Sequence, residues 1–354
     1  MIKTTLYRLL FVLLLAFGLT QSGTRISADP HGGGGRGENR SLLAAFRKSF
    51  ERPHVALEPI VVSSETRDGL LHEKITISSE AGVRVPLIVV SRVNKEGDTT
   101  RRPVVVCLHG LGGNKEGFNG ELGEFARRGF IGVALDARYH GDRGGDLTRA
   151  MIDSYKTGKE HPYLWDTVWD TWKVLDYLQT RQDVDKNRMG VMGISLGGHT
   201  TWMVSADPRV KVAVPCISVC SWRWQLAHKG YTQRVSNLQG AFNSVRDAMG
   251  ETEVNPKVVA SAWEHWMPGI PAKYDCQDIL SARAPLPLLI LGGDSDPVAP
   301  IEGVHEAYDV ISKAYDRAHA SDHLQMIIAE HSGHSVTGEH YKAMYAWFEK
   351  WLKP

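Results

Sequence analysis

Gly193-Ile194-Ser195-Leu196-Gly197, extended by Gly198, is the stretch on which the fold of this chain turns. An apolar strand, Arg188-Met189-Gly190-Val191-Met192, runs into it, and a helical pattern begins near Leu196. A serine at such a junction is forced onto a tight turn, and its small neighbours leave the hydroxyl uncovered. Oγ then projects from the end of a sheet into the space at which the first N–H groups of the next helix point. This is the geometry of a nucleophile elbow. The chain holds 35 glycines, so the pattern alone could arise by chance, and its weight comes from what surrounds it.

The surroundings alternate between strand and helix. Val104-Val105-Val106-Cys107-Leu108 is a continuous apolar run, as expected of a strand buried on both faces. The pattern then predicts a helix over 116–128, a strand over 130–135, a helix over 166–180 and the strand ending at Met192. Beyond the elbow it predicts a helix to about 205 and strands over 210–216, 286–291 and 324–329. Helices over 301–318 and 341–351 complete it. Such alternation implies an α/β fold with a mainly parallel sheet and helices on both faces. Before it, residues 41–50 read as a short amphipathic helix, and runs at 60–63, 73–78 and 84–90 as an antiparallel entry to the sheet.

Two segments interrupt the alternation. Residues 139–164 are polar and rich in Gly and Asp. Residues 221–281 carry Trp222, Trp224, Trp263 and Trp266 and read as a helical cap-like insertion over the site; a peripheral embellishment or dimer surface is the alternative.

At the amino terminus, Lys3 and Arg8 give a positive start ahead of an uncharged apolar run over 9–19, and Ile26-Ser27-Ala28 offers a cleavage site. Residues 1–28 are therefore read as a signal peptide, 29–40 as a Gly-rich linker and 41–354 as the folded domain. This implies a secreted or periplasmic protein without stable membrane association after cleavage, an uncleaved anchor being the alternative. The balance of 41 basic against 40 acidic residues argues against nucleic-acid binding. Cys107 reads as a small buried hydrophobe, while Cys216 and Cys220 are near enough in sequence for a local disulfide. The status of Cys276 and the oligomeric state stay open. Neither Asp, His nor Cys shows metal-ligand spacing, so no metal or cofactor is expected.

A serine hydroxyl needs a base, and the base needs an acid that fixes its tautomer. The strand at 286–291 ends in Gly292-Gly293-Asp294-Ser295-Asp296-Pro297-Val298-Ala299-Pro300, where Asp296 is the expected acid and Asp294 its competitor. The strand at 324–329 is followed by Glu330-His331-Ser332-Gly333-His334-Ser335, where His334 is the expected base and His331 the alternative. The order Ser, Asp, His is that of the α/β-hydrolases. For the developing oxyanion, the N–H of Leu196 is one expected donor. His109-Gly110-Leu111-Gly112-Gly113 can present the N–H of Leu111 as the second. His109 is read as orienting this loop. Trp165, Trp169 and Trp172 share one helical face and are expected to pack against the sheet, with a sugar-binding platform as the alternative. The charges of Asp136-Ala137-Arg138-Tyr139-His140-Gly141-Asp142-Arg143 are expected to pair and hold their loop, with substrate binding as the alternative.

Val106 to Gly110, the elbow, Asp296 and His334 together resemble the α/β-hydrolase superfamily. Within it, Trp169-Asp170, Asp176-Tyr177-Leu178, Arg181, Asp183-Val184-Asp185, Arg188 and Gly190 are similar to the dienelactone hydrolase and acetyl xylan esterase-like branch. Prolyl oligopeptidase catalytic domains share much of the same stretch. A serine nucleophile departs from true dienelactone hydrolases, which use cysteine. The resemblance implies a serine carboxylesterase acting on short acyl esters, with acetyl groups on a glycan as one candidate. An exported peptidase resembling the oligopeptidase catalytic domain is one alternative. A non-catalytic glycan-binding protein on the same scaffold is another.

Overall fold

Nine strands form one sheet across the residues that the computed structural model describes, 35–94, 96–160 and 163–353. In chain order the strands are β1 (Ile60–Arg67), β2 (Leu70–Glu80), β3 (Val83–Arg92), β4 (Arg102–Leu108) and β5 (Ile131–Leu135). They continue as β6 (Val184–Ile194), β7 (Val210–Cys216), β8 (Leu288–Gly293) and β9 (Leu324–Ala329). The helices begin with α1 (Arg36–Lys48), α2 (Asn119–Arg127), α3 (Leu147–Thr157), α4 (Trp165–Thr180), α5 (Leu196–Val204) and α6 (Trp222–His228). The rest are α7 (Thr232–Asn237), α8 (Gln239–Ala248), α9 (Pro256–Trp266), α10 (Cys276–Ala282), α11 (Ile301–Arg317) and α12 (Gly338–Leu352).

Strand order is β1-β2-β3-β5-β4-β6-β7-β8-β9. The first three strands pair antiparallel, β3 meets β5 antiparallel, and every pairing from β5 to β9 is parallel. This is the mainly parallel sheet with an antiparallel entry that the alternation implies. All seven residues of β4 are buried. Because successive side chains of a strand point to opposite faces, β4 feeds two cores. Val104, Val106 and Leu108 join the core under α4, α5 and α11, whereas Val105 and Cys107 join the one under α2 and α12. Each fully buried side chain of this size contributes about 1.5–3 kcal/mol, so the double-sided run specifies a central position.

Trp165 and Trp172 are buried on α4, where Phe50 stacks on Trp165 with ring centres 3.7 Å apart. Trp169 is half-buried and its indole N–H donates to the Ser79 carbonyl at 3.0 Å. The second insertion is helical, α6 to α10. Its Trp222, Tyr231, Phe242, Trp263 and Trp266 belong to the same core as α4 and α5 rather than to a separate one.

Three local readings differ. Helix α1 starts at Arg36, inside the span read as linker, because Glu38 accepts from the Gly35 N–H at 3.0 Å and closes its first turn. Helix α3 lies within residues 139–164, to which no element was assigned from the sequence: Asp146 caps it through the Arg149 N–H, and Gly158 ends it at φ 69°. Strand β1 runs on to Arg67. The signal-peptide span lies outside the described residues.

Candidate active site

Strands β4, β6, β8 and β9 run parallel, so the loops leaving them emerge at one edge of the sheet, where open α/β sheets place their sites. Ser195 stands between β6 and α5 with φ 54° and ψ −110°. A left-handed φ at a non-glycine residue is strained and persists only where its surroundings enforce it. Here the Ser195 N–H donates to the Cys216 carbonyl at 3.0 Å, and the Ser195 carbonyl accepts from His199 N–H at 2.9 Å. A Cβ on Gly197 would lie 1.9 Å from the Leu108 carbonyl oxygen, and one on Gly193 would lie 2.2 Å from that of Gly197. The start of α5 therefore rests directly on the end of β4, which is why the motif needs glycine there.

Asp296 is 3% exposed. Its Oδ1 accepts the Val298 and Ala299 N–H groups at 2.8 and 3.1 Å, which aims Oδ2 at His334 Nδ1, 2.7 Å away. His334 Nε2 lies 2.7 Å from Ser195 Oγ. A carboxylate can only accept, so Nδ1 carries the ring proton and Nε2 offers its lone pair to the Ser195 hydroxyl. The fold thus brings Ser195, His334 and Asp296 into one hydrogen-bonded line.

The two competitors stand apart from that line. Asp294 accepts from the His331 and Ser332 N–H groups at 3.0 and 3.2 Å, and from Ser295 Oγ at 2.9 Å. The His331 N–H is the main reason its carboxyl is held below the usual range. It fastens the loop that carries His334. His331 is exposed, with φ 52°.

Next to Ser195 the chain turns tightly over residues 110–113. Gly113 N–H donates to Gly110 O at 3.0 Å and Gly112 takes φ 74°, a requirement of the third position in a type II turn. A Cβ on Gly110 would lie 3.6 Å from that of Ser195, so this turn borders the nucleophile, and Leu111 is 39% exposed at its tip. Leu196 opens α5, so its N–H is among those a helix leaves without an intrahelical partner. His109 Nδ1–H donates to Gly110 O at 2.8 Å while Nε2 accepts the Ala137 N–H at 3.0 Å. Burial lowers its pKa. His109 therefore ties this loop to the one after β5.

A second tie was not singled out from the sequence. Lys115 is 1% exposed; its N–H and ammonium donate to Asp136 Oδ1 and Oδ2, both at 2.8 Å, and the ammonium also reaches Asp142 at 2.8 Å. Burial alone would lower the Lys115 pKa, but the carboxylates, Asp136 first, outweigh it and raise it. Arg138 and Arg143 both bind Asp170, at 3.0 and 2.6 Å. The charges of residues 136–143 are thus engaged in holding their own loop.

All four cysteines are buried and free. The local disulfide considered for Cys216 and Cys220 is not formed: Cys216 Sγ donates to Val214 O and Cys220 Sγ to Pro300 O, each at 3.6 Å. Burial pushes both thiols up to about 12. Among the described residues, no cluster of three His, Cys, Asp or Glu is placed to hold a metal ion, and no helix is long and apolar enough to cross a membrane.

Against known proteins, the profile of the Prolyl oligopeptidase family matches residues 117–354. "Putative hydrolase YtaP" of Bacillus subtilis is 26% identical over 334 residues, covering 90% of this chain and 100% of its own. "Putative esterase YitV" of the same organism is 23% identical and covers 78% of this chain and 100% of its own. Among solved structures, an acetyl xylan esterase from Paenibacillus sp. R4 superposes with a TM-score of 0.65 at 19% identity, covering 90% of this chain and 93% of its own. Likeness at that identity speaks for the fold, which is that of the α/β-hydrolases.

Proposed function

The chain belongs to the prolyl oligopeptidase family and is a serine hydrolase, and from that premise we propose that it is a carboxylesterase acting on short acyl esters. Acetyl groups on a polysaccharide are the favoured substrate. The observation that carries this reading is the line Ser195–His334–Asp296, with both contacts at 2.7 Å.

In this account Ser195 Oγ attacks the ester carbonyl while His334 Nε2 takes its proton. Asp296 stabilises the imidazolium that results. The N–H groups of Leu111 and Leu196 receive the oxyanion, and His334 then protonates the departing alcohol. A water activated by His334 attacks the acyl-enzyme and releases the acid, restoring the serine. The apolar run over 9–19 supports export, which suits a glycan ester met outside the cell. Neighbours named acetyl xylan esterases add to the choice of acetyl.

The family's name favours a second reading, a peptidase. The two separate on substrate. Acetylated xylan and p-nitrophenyl acetate are expected to turn over, and alanyl p-nitroanilide and short peptides to remain intact. Cleavage of the amides in preference to the esters would overturn the esterase assignment.

A further inference from the structure

The guanidinium of Arg234, on α7, hydrogen-bonds His199, which lies one helical turn after the nucleophile, and has no ion-pair partner among the described residues. Arg234 is 5% exposed. Its Nε donates to Gln225 Oε1 at 2.8 Å, its Nη1 to His199 Nε2 at 2.6 Å, and its guanidinium carbon lies 4.5 Å from the centre of the Trp222 ring. The phenol of Tyr163 stands beside it. Every one of these partners is neutral. Buried Nη2 has no hydrogen-bond partner among the described residues.

Arg283 also lacks a carboxylate among the described residues and leaves Nε without a partner, but it is only half-buried; three arginines near the sheet are paired. Arg138 binds Asp170 and Glu80, Arg143 binds Asp170, and Arg181 binds Glu73 and Asp183. An arginine side chain keeps its charge, so burying one without a carboxylate is costly to the fold.

The partners of Arg234 place it at the catalytic end. His199 lies one turn after Ser195 on α5, and its N–H donates to the Ser195 carbonyl. Burial first, and then the charge of Arg234, hold His199 well below its usual range, so it stays neutral and cannot repel an anion's partner. Gln225 Nε2 donates to Val298 O at 3.4 Å, and Val298 N–H donates to Asp296. The guanidinium thus touches the helix of the nucleophile through His199 and is linked to the loop of the acid through Gln225.

We propose that Arg234 is an anion-receiving subsite at the catalytic end, reached past His199, so that an ester whose acyl chain carries a carboxylate is turned over faster than its neutral counterpart, in addition to acetyl esters. This rests on the esterase reading. The Tyr163 phenol oxygen is the neutral acceptor nearest the guanidinium, and a carboxylate taking its place would satisfy Nη2 and neutralise the charge. Nη2 is covered in the free protein, so the anion enters by displacing a neighbouring side chain; half-buried Tyr163 is the one beside it.

The test compares p-nitrophenyl hydrogen adipate with its methyl ester, which differ only in the remote carboxylate. Wild-type kcat/KM is expected to favour the acid by about tenfold or more, the worth of one charge-assisted hydrogen bond. Arg234→Gln should bring the ratio near one, and Arg234→Lys should retain part of it. Equal wild-type rates, which need no variant to read, overturn the subsite, as does a preference that Arg234→Gln leaves intact. Activation of the methyl ester by sodium chloride, lost in Arg234→Gln, would assign the position to a free anion and overturn the claim about substrate. If neither ester is cleaved, the esterase reading fails by itself. Calorimetry with adipate then decides the subsite: binding to Ser195→Ala that vanishes in Ser195→Ala/Arg234→Gln supports it, and no binding overturns it.

Discussion

Replacing Lys115 with Met should both loosen the fold and slow the enzyme, because this side chain anchors the turn bearing Leu111. Lys115 is 1% exposed and Asp136 is fully buried, and their closest contact is 2.8 Å. Methionine fills much of the same volume but leaves the Asp136 carboxylate without its cation. Removing one member of a buried pair costs about 3–5 kcal/mol. Melting entropy of about 2.1 cal/mol/K per residue over the roughly 320 described residues gives about 0.7 kcal/mol per degree. The melting temperature should therefore fall by about 4–8 °C. A turn released from Asp136 holds the Leu111 N–H less firmly, and weakening one oxyanion donor should lower kcat by about tenfold or more with little change in KM. Thermal melting by circular dichroism and p-nitrophenyl acetate kinetics read the two effects. Asp136→Asn added to Lys115→Met removes the stranded charge, so the double variant should lose less stability than the sum of the singles. Additive losses, or a single variant with unchanged melting and kcat, would refute the reasoning.

Asp296→Asn should lower kcat by about 10⁴-fold through the wrong His334 tautomer, whereas Asp294→Asn, outside the line, should cost at most about tenfold; steady-state kinetics on one ester rank them, and the reverse ranking would move the acid to Asp294. Acid should destabilise the protein through Asp170. Burial pushes this carboxyl up, but Arg143 and Arg138 outweigh burial and hold it well below the usual range. A carboxyl depressed in the folded state contributes stability that is complete above its unfolded value, about pH 4, and is lost as pH falls below it. Melting temperatures measured from pH 7 to pH 2 should fall below about pH 4. In Asp170→Asn the protein should be less stable at pH 7, by about 3 kcal/mol, with a shallower acid limb; an unchanged limb would remove Asp170 from the account.

Much of this architecture could be read from the chain because its signals are local. The β4 run alternates between two cores, and the elbow glycines lie against backbone atoms a few residues or one strand away. Asp296 and His334 each follow a strand end, so parallel neighbours deliver both to the same edge. Helix α3 escaped although its cap, Asp146, and its buried Leu147, Met151 and Ser154 at helical spacing were present. The glycines and charges around it outweighed that pattern. Lys115 and Arg234 were illegible for another reason. A lysine after a glycine turn reads as solvated, and only the return of the chain at Asp136 and Asp142 buries it. Arg234 meets His199 across 35 positions, in a contact between side chains that no periodicity encodes.

The most direct test of the central claim is p-nitrophenyl acetate hydrolysis, followed from the first turnover, by the wild-type protein and by Ser195→Ala. The account predicts turnover in the wild type through an acetyl group carried on Ser195, and a fall of about 10³-fold or more in the variant, with its fold intact by circular dichroism. Equal rates in the two proteins, or an acetyl group recovered on a residue other than Ser195, would contradict it.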